Sequence, residues 1–286
     1  MATILLTGAN GAVSKATIAA LQGSGHTLIG LVRDPAKGKD LGIELRTGDL
    51  DKPRSLEGKF DGVDTAFLLS PPGALASFQQ SNALHAAKQA KVKHVVRMSA
   101  VGAAHDAPTL NSRIHALSDT ELEKSGLAYT IIKPHFFMQN LLMTAQSIAE
   151  SGTFYFALGD AKLPAIDVAD IATSIAAVLK APAAHAGKSY TLTGPEAFSM
   201  HQFATAIGEA IGKPVTYVPV PVAAAVDNFE KMGLDDYNIV AFRDYLTAYS
   251  VGWQSDVTDA VKQLTGRGPR GLNEFAHQYA AAFGKR

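Results

Sequence analysis

Short apolar runs and longer mixed stretches alternate along the first half of the chain. Residues 3–7, 27–32, 43–47, 64–69, 94–98 and 128–133 form short runs rich in apolar or β-branched residues. Strands buried on both faces need that pattern, whereas half-buried strands alternate. Between them, residues 12–21, 75–90 and 112–125 carry helical spacing, and Gly126 closes the last of these. The alternation predicts an α/β fold, a Rossmann-type doubly wound parallel sheet, with a smaller, mostly helical C-terminal substrate lobe.

After Pro134 the rhythm changes. Residues 135–150 and 168–180 predict helices, the second with Asp167 and Asp170 around its first turn, and residues 189–193 predict a late strand. A helix over 199–211 is opened by Ser199 as N-cap and closed by Gly212. From about Val222 the tail predicts mostly helix and carries Tyr237, Tyr245, Tyr249 and Trp253. No repeat or low-complexity linker interrupts the 286 residues. The expected division is a dinucleotide-binding domain over 1–150 and a packed substrate lobe over 151–286, with parts of 151–200 free to return to the sheet.

Charge and cysteine content narrow the function classes. Lys plus Arg and Asp plus Glu are 26 each, without basic runs, so neither nucleic acid nor an anionic membrane is an expected partner. The absence of cysteine excludes disulfides, thiolate zinc sites, iron–sulfur clusters and a cysteine nucleophile. Histidines lack metal-ligand spacing, and no nucleophile elbow supports esterase chemistry, so no metal is expected. The N-terminus runs directly into a strand without secretory features, and no stretch reaches the roughly 20 apolar residues of a spanning helix. The expectation is a cytoplasmic protein acting on a small molecule, with a homodimer left open.

The strongest motif lies between the first strand and first helix: Thr7-Gly8-Ala9-Asn10-Gly11-Ala12-Val13-Ser14. Gly8 permits the tight turn, Gly11 allows close backbone approach to a pyrophosphate, and Ser14 replaces the third glycine with a small side chain. The phosphates then meet open N–H groups at the helix start. The second strand ends in Val32-Arg33-Asp34-Pro35. Arginine there suits a 2′-phosphate, and Lys37 adds charge, while Asp34 would suit a ribose hydroxyl. NADP(H) is therefore favoured, with NAD(H) open. Asp49 and Leu50 follow the third strand, where Asp49 reaches toward adenine. Ser70 and Pro71 follow the fourth, beside pyrophosphate and ribose.

These residues and others resemble the atypical short-chain dehydrogenases of the NmrA-like group. The resemblance begins with Thr7-Gly8-Ala9-x-Gly11 and extends through Val32-Arg33-x-Pro35-x-Lys37, Gly48-Asp49 and His115-x-x-x-Asp119. It continues through Ser125-Gly126-Leu127-x-Tyr129-Thr130-Ile131-Ile132-Lys133-Pro134 and Phe136-Phe137-Met138-x-Asn140. Gly159-Asp160, Asp167-Val168-x-Asp170-Ile171-Ala172 and Tyr190-x-Leu192-Thr193-Gly194-Pro195 complete it. It lies near the branch of bacterial NAD(P)H:quinone oxidoreductases and triphenylmethane reductases. Other members of the group sense the dinucleotide without turnover.

The resemblance implies roles residue by residue. Gly8, Ala9, Asn10, Gly11, Ala12 and Val13 match the pyrophosphate loop, Arg33 the 2′-phosphate position, and Ser99 the position facing the nicotinamide. Thr7 and Pro134 fall within the matching motifs. The group usually has arginine at Lys133, glycine at His135 and glutamate at Asp119, so the roles of Lys133 and His135 stay open. Typical short-chain dehydrogenases carry Tyr-x-x-x-Lys on one helix. The literal copy here, Tyr129-x-x-x-Lys133, falls on a predicted strand, where the two lie about 13 Å apart rather than the about 6 Å of a helix. The usual tyrosine and lysine positions hold Asn111 and His115.

Hydride transfer survives without that pair when the acceptor is electron-poor and the product takes its proton from water. The expected function is therefore an NAD(P)H-dependent reductase of quinone-like or other conjugated small molecules; the alternative is a non-catalytic NADP(H)-sensing regulator that binds a protein partner. Ser99 bonds the carboxamide or a substrate oxygen, or else caps a local turn. His115 is a proton donor or ribose contact, or else pairs with Asp119 on the helix surface. Lys133 completes the catalytic candidates. His135, Phe136, Phe137 and Asn140 are candidate pocket walls, with Met138, Tyr245 and Trp253 as further candidates or ordinary core.

Overall fold

The computed structural model describes residues 1–284. The strands in chain order are β1 (Thr3–Leu6), β2 (Thr27–Val32), β3 (Glu44–Thr47), β4 (Thr65–Leu68), β5 (His94–Met98), β6 (Ala128–Pro134), β7 (Thr153–Phe156), β8 (Lys162–Leu163), β9 (Lys188–Leu192), β10 (Phe198–Ser199) and β11 (Thr216–Pro219). The principal helices are α1 (Ala12–Leu21), α2 (Ala76–Gln89), α3 (Leu110–Glu123), α4 (Ala145–Ser151), α5 (Val168–Lys180), α6 (Met200–Ile211), α7 (Val222–Lys231) and α8 (Asp236–Ser250). Three shorter helices follow at Ala260–Thr265, Leu272–Gln278 and Ala280–Phe283. No helix among the described residues is long and apolar enough to cross a membrane.

The chain forms two compact units. The first comprises Met1–Asp106, Ser112–Pro134 and Val168–Thr191; the second comprises Ala107–Asn111, His135–Asp167 and Leu192–Arg286. The chain leaves the first unit at Pro134, where β6 ends, and returns to it at Val168. Helix α5 belongs to the first unit, with Ile171, Ile175 and Val178 fully buried. It packs most extensively on α1.

The first unit is built on a seven-stranded sheet of order β3-β2-β1-β4-β5-β6-β9. The five ladders from β3 through β6 are parallel, with Leu5 opposite both Ile29 and Ala66, and Val96 opposite both Phe67 and Thr130. The β4 and β5 positions are buried throughout, as consecutive apolar residues demand when helices cover both faces. Parallel pairing brings the carboxyl ends of β1 to β6 to one edge. The sequence order reverses between β3-β2-β1 and β4-β5-β6, which creates the crevice where such sheets bind ligands.

One sequence expectation fails. Residues 135–150 do not form a continuous helix: Phe137 pairs with Ile166 in an isolated bridge, with Met138 N–H donating to Ile166 and Ile166 N–H to Phe136. Those bonds hold the backbone extended through Phe137. A 3₁₀ helix then runs over Met138–Thr144 and buries Met138, Leu141 and Thr144, the three-residue period of that helix. Only Ala145–Ser151 is α-helical, ended by Gly152 in the left-handed conformation at φ 68°.

The second unit has its own core. Strand β7 runs parallel to β11, and β8 antiparallel to β10. Phe154 meets Phe203 edge-on at 5.4 Å and stacks with Tyr217 at 5.3 Å, while Phe203 meets Phe283 at 5.8 Å. Helix α6 begins in a full capping box of Ser199 and Gln202, which satisfies two amides that a helix start otherwise leaves open.

Candidate active site

The loop after β1 is locked from below and open above. The Thr7 hydroxyl donates to the Leu69 carbonyl at 2.7 Å and accepts from the Leu69 N–H at 2.8 Å, tying the end of β1 to the end of β4. Thr7 is fully buried, so its side chain serves the latch. The Ser14 hydroxyl donates to the Thr7 carbonyl at 3.1 Å, drawing helix and strand together. Gly8 has φ 58°, and a Cβ there would lie 3.3 Å from the Leu69 carbonyl oxygen.

Helix α1 starts at Gly11 without any side-chain cap. Serine or aspartate would occupy the first amides; glycine leaves those of the opening turn for an outside acceptor. Because α1 also presents the positive end of its dipole, the loop fits a dinucleotide pyrophosphate. Gly30 on β2 is a further requirement absent from the sequence reading. A Cβ there would stand 2.9 Å from the Ala9 Cβ, so the loop can rest on β2 only above a glycine.

The ends of β2 and β3 divide their charges differently. Asp34 turns its carboxylate onto its own backbone, accepting from Ala36 N–H at 2.9 Å as the cap of a 3₁₀ helix over Pro35–Leu41. Arg33 and Lys37 are exposed, and their side chains form no hydrogen bond or ion pair among the described residues. Asp49 accepts from Asp51 N–H at 3.1 Å and lies 3.8 Å from Lys52 Nζ. Leu50 is buried, and its carbonyl accepts from Asn82 at 2.8 Å. Ser70 is half-buried and Pro71 exposed at the end of β4.

At the end of β5 a charged group is sealed inside the first unit. Arg97 and Asp119 are 2% and 4% exposed, so their charges are stabilised by each other rather than by water. Arg97 Nη1 donates to Asp119 Oδ1. Asp119 Oδ2 accepts from the Ser99 hydroxyl at 2.8 Å and faces Lys133 Nζ at 3.3 Å. Arg97 Nη2 reaches His115 Nδ1 at 3.2 Å.

The surface pairing of His115 with Asp119 is therefore not what the helix makes: Asp119 is taken by Arg97 on β5, Ser99 just after it and Lys133 on β6, and His115 turns to Arg97. Burial, then the nearby Arg97 and Lys133 charges, push the His115 pKa down to about 3. Two departures from the group's usual residues, Asp119 and Lys133, thus touch each other. In sequence Arg97 reads only as part of the strand over 94–98, although an arginine amid Val95, Val96 and Met98 is the signal of a buried partner.

Candidate wall residues of the second unit lie in an aromatic group. His135 stacks on Tyr249 at 5.2 Å, Tyr249 on Tyr245 at 5.3 Å, and Trp253 follows at 5.8 Å. Phe136 meets Tyr249 edge-on at 6.4 Å. His135 Nε2 donates to the Gln254 carbonyl at 3.0 Å, and burial pushes its pKa down to about 4. Asn111, at the position of the usual tyrosine, donates to the Tyr245 hydroxyl at 2.8 Å and accepts from the Tyr237 hydroxyl at 2.9 Å. Phe137 is half-buried and Asn140 exposed, and neither joins the stack. Tyr129 and Lys133 both sit on β6, so their spacing is that of a strand. Among the described residues no group of three or more His, Asp or Glu is placed to hold a metal.

The chain is 36% identical to an NAD(P)H azoreductase of Xenophilus azovorans over 284 residues, covering 98% of this chain and 99% of that protein. It is 30% identical to quinone oxidoreductase 2 of Escherichia coli over 270 residues, covering 92% and 93% of the two. Among solved structures, the NADPH-dependent quinone oxidoreductase from Escherichia coli in complex with NADPH superposes with a TM-score of 0.87 at 29% identity, over 96% of this chain and 99% of that one. The triphenylmethane reductase of Citrobacter shares the fold with a TM-score of 0.87 at 24% identity, over 98% and 99%. The sequence model of the NmrA-like family matches residues 1–276, and the chain belongs to that family.

Proposed function

We propose that the protein is an NADPH-preferring reductase of conjugated, electron-poor small molecules such as quinones and azo compounds. The observation that carries the reading is the uncapped start of α1 behind Gly8 and Gly11, on the same sheet edge as Ser99. The relatives named as an NAD(P)H azoreductase and a quinone oxidoreductase support the acceptor class. When bound, the dinucleotide supplies a hydride. Gly8, Ala9, Asn10, Gly11, Ala12 and Val13 hold its pyrophosphate on backbone amides. Ser99 donates its hydroxyl to Asp119 at 2.8 Å, so its oxygen lone pairs stay available and would accept from the carboxamide N–H groups. The acceptor gains two electrons with the hydride, and one proton from water completes its reduction.

Cofactor preference rests on Arg33. Asp34 is occupied as a cap, so the charge at the end of β2 is the guanidinium, with Lys37 beside it. Arg33→Ala is expected to weaken NADPH about tenfold, roughly one charge-assisted phosphate contact, and to leave NADH within about twofold. Titration by nicotinamide fluorescence measures both; equal weakening of the two would refute the assignment.

The activity itself is tested by adding a panel of quinones and azo dyes to the NADPH complex and following absorbance of the reduced nicotinamide. Oxidation with at least one acceptor is the expected result. Tight binding with no oxidation by any acceptor would instead favour the dinucleotide sensor.

A further inference from the structure

Arg97 and His115 form an arrangement that the reductase reading does not require. A guanidinium carries only donors, so the contact between Arg97 Nη2 and His115 Nδ1 at 3.2 Å is possible only if Nδ1 accepts. The ring proton must then sit on Nε2. His115 Nε2 has no partner among the described residues, and it is absent from the polar atoms sealed away from water. Ring protonation at Nδ1 would set N–H against N–H, beside a guanidinium with nowhere to retreat, since Arg97 is 2% exposed and held by Asp119. The charged groups around the ring come from every packed element: Arg97 on β5, Lys133 on β6 and Asp119 on α3, with Glu121 acting on Arg97 from the same helix.

We infer that Arg97 fixes His115 as an Nε2–H hydrogen-bond donor toward the oxygen or nitrogen of the substrate that becomes electron-rich as hydride arrives. The inference rests on the reductase reading and gives that site its electrophile. Hydride adds to one end of the conjugated acceptor, negative charge collects on the far oxygen or nitrogen, and the Nε2–H bonds that atom without releasing its proton. Water then delivers the proton to the anion. His115 acts as the catalytic donor. Arg97 and Asp119 are positioning residues: Arg97 sets the tautomer, and Asp119 anchors Arg97, Ser99 and Lys133 at once. A neutral donor already in place stabilises developing charge without first having to be protonated. The substrate class follows: acceptors whose reduction leaves an oxyanion or an amide-like nitrogen anion, such as quinones and azo compounds.

The test uses the full chain labelled with ¹⁵N-histidine, its His115 signals assigned by comparison with His115→Asn. From about pH 5 to about pH 9, the His115 ring is expected to stay neutral with Nε2 protonated, whereas an ordinary ring would titrate near 6.5. In Arg97→Met its pKa is expected to rise and the preference for Nε2 protonation to be lost. Adding 1,4-naphthoquinone to the protein loaded with NADP⁺, which cannot transfer hydride, is expected to shift the Nε2–H signal. His115→Phe is expected to lower kcat about a hundredfold with the KM for NADPH moved less than about threefold. An Nδ1–H tautomer, ordinary titration in the wild type, or unchanged kcat in His115→Phe would overturn the donor role while leaving the reductase reading standing. If no acceptor oxidises NADPH and naphthoquinone moves no signal, the reductase reading falls and the donor role with it, while the tautomer remains measurable on its own.

Discussion

Replacing Gly30 with valine is expected to weaken NADPH and NADH alike by about a hundredfold while the sheet still folds. Gly30 lies on β2 opposite Leu6 and Leu45, and a Cβ there would stand 2.9 Å from Ala9 Cβ and 3.1 Å from Leu45 Cδ2. The leucine methyl can rotate away. The alanine Cβ has no rotamer, so the backbone of the pyrophosphate loop must lift. Losing two backbone hydrogen bonds to the charged pyrophosphate, at about 1.5 kcal/mol or more each, weakens binding about a hundredfold, and valine adds two methyl groups to the same gap. Overpacking of this kind costs about 1–3 kcal/mol of stability, which lowers the melting temperature without unfolding the unit. The contrast with Arg33→Ala is diagnostic, because that change should affect NADPH alone. Fluorescence titration with both nucleotides, together with circular dichroism, reads the result. Wild-type affinity in Gly30→Val would show that the loop does not rest on β2 as described.

Much of the first unit was legible because parallel strands buried on both faces leave continuous apolar runs. Residues 27–32 and 94–98 coincide with β2 and β5, and residues 12–21 and 168–180 with α1 and α5. The Gly8–Gly11 turn was legible for the same reason, since glycine between a strand and a helix has a backbone cause. What escaped was determined by long-range pairing. The bridge from Phe137 to Ile166 spans residues far apart in sequence and overrides a helical pattern at 135–137. Gly30 reads as an unremarked residue inside a strand, and its meaning comes from Ala9, which approaches it in space. Arg97 and Asp119 likewise acquire their role only when β5, β6 and α3 converge. The Asn111 link between Tyr237 and Tyr245 joins positions more than a hundred residues apart, which no local pattern carries.

Acid should unfold the protein earlier than its carboxylates alone would require. Four histidines have pKa values below the ordinary one, and three of them fall to about 4 or lower. Burial, then His185, lowers His94 to about 4, burial lowers His135 to about 4 against the opposing effect of the Gln254 carbonyl, and burial, Arg97 and Lys133 lower His115 to about 3. Unfolded, each ring has a pKa of about 6.5. As pH falls below that value the unfolded chain binds protons that the folded one refuses, so stability present above about pH 6.5 is lost progressively toward about pH 4. His94 and His135 are 4% and 1% exposed, and each contributes on the order of 3 kcal/mol across the full window. Asp40, Asp64 and Asp235, with pKa values below the ordinary carboxylate range, give up stability only at still lower pH. Urea unfolding between about pH 7.5 and about pH 4.5 checks this. Trp253, the sole tryptophan, lies 5.8 Å from the Tyr249 ring that stacks on His135, and so reports the second unit. A midpoint that stays level from about pH 7 to about pH 5 would contradict the prediction. A steep fall there that His94→Gln or His135→Gln flattens in part would assign the loss to these rings, because glutamine takes up no proton in either state.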